Sequence, residues 1–427
     1  MKIAHFTQDI TPPLGHPLCA GWYPAATAVS ERLSAHGVII EPEDGTSPMV
    51  LCALDWAELS NFEHRRWCEA IAGAVGTTPE RVAVHCLHNH DAPWPDEEAQ
   101  ALLDEQGRPE VIMQTAWCRD IRAAVARAAG RAAERLEPVD RLRFGRARVS
   151  ELACNRRPIG ADGKVVGVRW TRCLDAEIRA LPEGTIDPWL QTVSFWQGTR
   201  KLAALHYYAI HPTSYDGTGI VTTDFAGIAR DRLIAEEGVP HVYFTGCGGN
   251  ITAGKYNDGV ADNRALFAGK IFDAMREAER QAGDSPVPEL EWRTAPVRLP
   301  GREDVTDEQL MTAIRAAREH PKQASRAALE LTYRHRVETP ITVSALHFGK
   351  GAALLHLPGE AFIEYQLFAQ ELLHDTWMGV AAYGDLGPGY ICLERSFAEG
   401  GYEPRDAFCA PESEHALKQA IRDVLTP

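Results

Sequence analysis

The stretch Arg81-Val82-Ala83-Val84-His85-Cys86-Leu87-His88-Asn89-His90-Asp91-Ala92-Pro93 decides how this chain is read. Val82, Val84 and Leu87 are apolar, and Pro79-Glu80 closes the turn before them. Arg81 to Leu87 therefore predicts a buried strand. His88 and His90 follow where that strand ends. In extended backbone, a spacing of two puts both imidazoles on one face. Two imidazoles side by side past a buried strand can hold a metal or share a proton. A lone histidine at a strand end is more often structural, so the pair needs support from elsewhere in the chain.

Before the pair, Gly37 to Ile40 and Met49 to Asp55 predict strands around a turn at Glu43-Asp44-Gly45. The second is apolar without alternation, as expected of a strand buried on both faces. Glu58 to Val75 reads as a helix. Strand, helix, strand in this order predicts a parallel pair with a crossover helix.

After the pair, Asp120 to Leu136 predicts a helix whose charges form a solvated face. The strand Leu142 to Val149 leads to Cys154-Asn155-Arg156-Arg157-Pro158, where adjacent arginines on a loop are usually solvated, the alternative being that one enters a site and binds an oxyanion or carboxylate. Leu190 to Trp196 and Leu202 to Ile210 predict a hairpin that ends in His211-Pro212-Thr213-Ser214. Again a histidine follows a buried strand. Val242 to Thr245 runs into the glycine-rich loop Gly246 to Gly254. Glycines at that density permit close backbone approach and exposed amides, but the loop lacks a phosphate loop's Gly-Lys-Ser/Thr ending. Asp304 to Tyr333 predicts two helices interrupted at His320-Pro321, an excursion able to cover a site. Val343 to Phe348 and Ala352 to Leu357 lead to Pro358-Gly359-Glu360, and Gly379 to Ala382 begins the last core strand. No repeat is visible in the residues themselves.

Composition excludes more than it names. The chain has 427 residues, 45% of them hydrophobic, which suffices for a sizeable core. A formal charge of -15 argues against nucleic acid and against an anionic membrane surface. Ten cysteines without a Cys-x-x-Cys pair point to a reduced compartment. The first residues lack the apolar core of a signal peptide, and no apolar run approaches membrane-spanning length. The expectation is a cytoplasmic protein without stable membrane association.

Taken together, the motifs resemble the catalytic domain of the neutral (non-lysosomal) ceramidase family, which are zinc amidohydrolases. The family's Thr-Pro-Pro-x-Gly start stands at Thr11 to Gly15, and its His-x-His-Ser-Gly-Pro at His88 to Pro93. Its Asn-Arg-Ser-Pro stands at Asn155 to Pro158, its His-Gly-Thr-Ser at His211 to Ser214, and its Asp-Phe-Pro-Gly at Asp224 to Gly227. The glycine loop of the nucleophile region stands at Gly246 to Thr252, the glutamate motif at Pro358-Gly359-Glu360, and the late tyrosines at Tyr390 and Tyr402.

The resemblance implies a zinc held by His88, His211, Glu360 and Tyr390. Two imidazoles and a carboxylate are a common catalytic zinc shell with an open position for water. It further implies His90 outside the shell for proton transfer. Arg156 and Tyr402 would orient substrate or stabilise an oxyanion. Thr252 stands where the family has its serine, and Asn250 where it has an aspartate. Asp91 replaces a serine and Pro212 a glycine. The chain ends before the family's C-terminal immunoglobulin-like domain, which makes a long-chain ceramide a doubtful substrate.

The expectation is thus one α/β domain over residues 1–427, a mixed β-sheet core with surrounding helices and a helical insertion at 303–335. The expected function is a zinc-dependent hydrolase cleaving an amide or related carbonyl bond in a small, polar, soluble substrate. The alternatives are a zinc enzyme acting on a sugar or lactone, and a non-catalytic relative that binds a ligand.

Overall fold

Three sheets repeat one strand order. The computed structural model describes residues 1–316 and 320–426. Residues 317–319, which fall within the expected helical insertion, and residue 427 lie outside the described residues. In the first sheet Lys2–Asp9, Ser34–Glu41 and Met49–Leu54 run antiparallel in turn, and Val82–Cys86 adds parallel to the last. The second repeats this with Arg141–Arg148, Trp189–Gln197, Arg200–Tyr208 and the parallel strand His241–Thr245. The third does so with Leu290–Val297, Ile341–Phe348, Ala352–His356 and Trp377–Ala381. Each parallel pair is bridged by a crossover helix: Asn61–Val75, Asp224–Glu237 and Ile363–Leu372.

The crossover expected from Met49 onward is therefore one of three. The single mixed sheet expected from the sequence becomes three, and the architecture repeats where the residues do not. Sequence comparison misses such a repeat because each unit keeps only its pattern of burial. Met49–Leu54, Val82–Cys86, His241–Thr245 and Ala352–His356 are buried at every position. That is the pattern of parallel strands covered on both faces. The parallel strands of the three units pack against one another at the centre of the molecule.

Two backbone hydrogen bonds and one from a hydroxyl close the three units into a ring at the ends of these strands. Cys86 N donates to Tyr383 O at 2.8 Å, and Ala382 N donates to Thr245 O at 2.9 Å. The Thr245 hydroxyl then donates to Leu87 O at 2.7 Å. The carboxyl ends of all three parallel pairs thus face one place, the position where open α/β sheets bind ligands.

Each unit also carries a long excursion between its first two strands. These are residues 10–33, 149–188 and 298–340. The helical insertion expected at 303–335 falls in the third, which holds the helices Asp307–Ala316 and Pro321–Arg336, the latter opening at Pro321. Boundaries differ elsewhere. The first crossover helix begins at Asn61 rather than Glu58, and the helix expected from Asp120 is Thr115–Ala133. Lys2–Asp9 is a full strand, paired along its whole length with Ser34–Glu41.

All ten cysteines are free and buried. No helix among the described residues is long and apolar enough to cross a membrane.

Candidate metal centre

Each unit delivers side chains to the shared point from the loops after its parallel strands. Glu58 follows Met49–Leu54, His88 and His90 follow Val82–Cys86, and His211 follows Arg200–Tyr208. Glu360 follows Ala352–His356, and Tyr383 and Tyr390 follow Trp377–Ala381. Glu360 and Tyr390 are direct register partners in a short parallel ladder. The glycine loop serves this assembly by close approach. A Cβ on Gly249 would stand 2.2 Å from Glu360 O. Its amides are engaged rather than exposed, since Gly246 N donates to Tyr208 O and Gly249 N to Ala361 O.

The His-x-His pair converges differently from the extended geometry expected of it. The strand ends at Cys86, and His88 has φ 70°, in the left-handed region uncommon for a non-glycine residue. Such backbone persists where surrounding structure holds it, often at functional sites. Here His88 N donates to Trp56 O at 3.0 Å. The turned backbone brings His90 Nε2 to 3.3 Å from His88 Nε2.

The second nitrogen of each ring fixes its tautomer. His211 Nδ1 donates to Gly248 O at 2.6 Å, and His88 Nδ1 to Ala57 O at 3.2 Å. His90 Nδ1 donates to Asp216 Oδ2 at 3.0 Å. Each ring then turns its Nε2 lone pair into the same small volume, that of His211 also within reach of an Arg156 N–H. Glu360 Oε2 lies 3.0 Å from His211 Nε2 and 3.3 Å from His88 Nε2, yet it accepts no hydrogen bond. Three imidazole lone pairs and a buried carboxylate oxygen facing one another are mutually repulsive, and a cation among them removes the repulsion. The donor set of nitrogen and oxygen atoms suits zinc. The carbonyls and Asp216 behind the rings are the outer partners that metal-binding histidines use.

Electrostatics agree. Burial and then the Arg156 guanidinium push the His211 imidazole down to about 3, and burial lowers His88 as well. Both are neutral, as ligands must be. Glu58 lies 3.2 Å from His88 Nδ1, and burial with the charge of Glu360 raises its carboxyl well above the usual range. Of the two glutamates, Glu360 carries the charge. Burial also raises Tyr390 and Tyr402 against the opposing charge of Arg156, so both phenols keep their protons.

Beside this well stands a clamp. The Tyr390 and Tyr402 hydroxyls are 2.5 Å apart, and the Arg156 guanidinium lies about 5 Å from each ring, at 5.1 and 4.9 Å. Arg156 Nη1 is 3.4 Å from His211 Nε2, and Nε donates to buried Glu403 at 3.0 Å. His88, His90, Arg156, His211, Glu360, Tyr390 and Tyr402 all line one cavity of about 520 Å³. Thr252 does not. It pairs with Cys154 in a short ladder, and its buried hydroxyl has no partner among the described residues.

Sequence reasoning missed Glu58, Asp216, Tyr23 and Tyr383. Glu58 could have been found, because it follows a buried strand as His88 does. Asp216 and Tyr23 give no local signal. The Tyr23 hydroxyl donates to Asp216 Oδ2 at 2.6 Å across a separation of 193 residues.

No protein-family profile matches this chain, and no curated protein matches it in sequence. Solved structures do match. The crystal structure of neutral ceramidase from Pseudomonas aeruginosa superposes with a TM-score of 0.72 at 17% identity. The match covers 99% of this chain and 74% of that one. A ceramidase complexed with C2 superposes with a TM-score of 0.73, also at 17% identity and over the same shares. The expected fold class holds, and over nearly its whole length the chain has the fold of neutral ceramidase.

Proposed function

We propose that this chain is a zinc-dependent hydrolase, cytoplasmic, that cleaves an amide or related carbonyl bond in a small polar substrate. The observation that carries the reading is the meeting of the His88 and His211 Nε2 atoms at Glu360 Oε2, with His90 Nε2 beside them, in a cavity shared with Arg156. His88, His211 and Glu360, with Tyr390, would hold the zinc. Bound zinc would supply Lewis acidity toward a carbonyl oxygen and an acidified water.

The chain's own groups supply the rest. His90 has Nδ1–H fixed on Asp216, which leaves Nε2 free to take a proton and later to give it to a leaving amine. The Asp216 carboxyl is held low by His90, against the opposing effect of burial, and stabilises the imidazolium that results. Arg156 is fixed by Glu403 and Gly249 O, so its charge meets developing negative charge without reorganising. Tyr402 orients the Tyr390 hydroxyl. Thr252 is given no step.

Metal analysis together with assay on a panel of short N-acyl compounds tests the reading. About one zinc per chain is expected, with hydrolysis of at least one panel member. The double variant His88→Ala, His211→Ala should lose both. Full zinc content in that variant would sink the assignment.

A further inference from the structure

The mouth of the cavity is basic in a chain that is acidic overall. Arg172 comes from the second excursion, Lys322 and Arg326 from the third, and Arg405 from the C-terminal segment. With a formal charge of -15, composition does not account for cations gathered at one mouth.

The acids of the cavity are already engaged. Glu58 and Glu360 face the histidines. Asp216 holds His90 and Tyr23. Asp406 sits between Arg326 at 3.3 Å and Arg405 at 3.7 Å. Arg172 and Lys322 are left without an ion-pair partner among the described residues.

Both are nevertheless positioned. Lys322 Nζ lies 4.5 Å from the centre of the Trp22 ring, an attraction that draws the ammonium over the mouth. Arg172 stands between two anchored neighbours. The Thr171 hydroxyl donates to Thr213 O at 3.1 Å, and Cys173 N donates to Asn257 O at 3.0 Å. Below them the walls are aromatic, with Trp22 against Trp94 at 5.1 Å and Trp170 against Tyr402 at 4.7 Å.

We propose that the substrate is a small anion with an apolar body between its scissile carbonyl and its charged end. Its apolar body lies between the aromatic walls, with the carbonyl to be cleaved at the histidine cluster. A carboxylate or phosphate at its far end meets Arg172 and Lys322. This deepens the hydrolase reading and rests on it for the bond cleaved. Two cations without an ion-pair partner among the described residues favour an anion by charge-assisted hydrogen bonds and by steering, and they repel a cationic substrate.

The test uses the zinc-loaded full chain. Calorimetry compares benzenesulfonate, a poor metal ligand, with its neutral isostere methyl phenyl sulfone. The sulfonate should bind at least about tenfold more tightly, and the double variant Arg172→Ala, Lys322→Ala should erase that preference. Equal binding of the two, or a preference that survives in the variant, overturns the proposal. A second arm compares acetate release from 6-acetamidohexanoate and 6-acetamidohexanamide. The carboxylate compound should have the higher kcat/KM, and the variant should lose that advantage alone. If the sulfonate preference holds while neither amide is cleaved, the anion site stands and the hydrolase reading falls. Binding to phosphatidylglycerol vesicles without any sulfonate preference would reassign the rim to a lipid headgroup.

Discussion

The ring of Tyr383 lies against the ring of His88, with centroids 4.3 Å apart and planes 25° from parallel. Both residues come second after the last parallel strand of their units, and both hold left-handed backbone, with φ 60° and 70°. One unit places a candidate ligand at this position, and another places the wall that fixes it. Tyr383→Phe keeps the stacked ring and should change zinc affinity by less than about threefold, an expectation from the retained packing. Tyr383→Ala leaves a void beside a ligand. It should cost about 3–5 kcal/mol of stability and about 10- to 100-fold in zinc affinity. Chemical denaturation and zinc titration of the two variants check this. Equal zinc affinity in both would show that the ring does not position His88.

Gly249 makes a second test of how the units lock together. Its Cβ would meet Glu360 O at 2.2 Å and Ala361 O at 2.9 Å, both backbone atoms that cannot swing aside. Gly249→Ala should therefore destabilise the chain by about 1–3 kcal/mol and displace Glu360. Weaker zinc binding alongside a lower melting temperature is the expected result. A variant with unchanged stability and zinc content would mean that the loop moves freely.

Part of the candidate site is legible in the residues alone. His88 and His211 stand out because each follows an apolar strand, and Glu360 and Tyr390 because short motifs match a family in order. The turn at His88-Asn89-His90 is not legible, since nothing local announces a left-handed histidine. The threefold architecture is hidden for a related reason. Burial on both faces constrains Met49–Leu54 and Ala352–His356 to be apolar, but not to be alike. The acid behind His90 is hidden by distance, since Asp216 arrives from another unit.

Asp96 gives a prediction in pH. It caps the helix Glu97–Asp104 through Ala99 N at 3.0 Å and accepts from Asn61 Nδ2 at 2.7 Å. Burial, reinforced by Glu98 and Glu63 against the hydrogen bonds, pushes its carboxyl up to about 7. Below about pH 4 the folded and unfolded chains are both protonated there, and the group has no net effect. Between pH 4 and 7 the unfolded chain ionises first, so stability falls as pH rises, by about 4 kcal/mol at most for a shift of this size. Asn is an equally good cap. It can also pair with Asn61 Oδ1, a buried atom with no partner among the described residues, once that amide turns over. Asp96→Asn should therefore raise the melting temperature more at pH 8 than at pH 5. The same gain at both values, or a loss at pH 8, would contradict the assignment.

The last prediction separates holding a metal from using it. His90 Nε2 is 3.3 Å from His88 Nε2, so position alone does not distinguish the two rings. Their supports do. His88 is backed by the Ala57 carbonyl and by the Glu58 carboxyl, which burial and Glu360 keep from ionising, and its ring is 3% exposed, whereas His90 is backed by the ionised Asp216 and is 20% exposed on the cavity side. A ring that must exchange protons needs that carboxylate and that access. A general acid or base near the reacting group contributes roughly 100- to 10,000-fold to rate. His90→Ala should lower turnover on that scale while zinc content stays near one per chain, and His88→Ala should lose both. Asp216→Asn should resemble His90→Ala with a smaller loss and a shifted pH profile, because the amide orients the ring but cannot stabilise its charged form. Arg156→Ala should also lower kcat with zinc retained, since its charge acts in the transition state. Zinc loss in His90→Ala equal to that in His88→Ala would overturn the division. The three imidazoles would then chelate together, and either Glu360 or Tyr390 would not be a ligand.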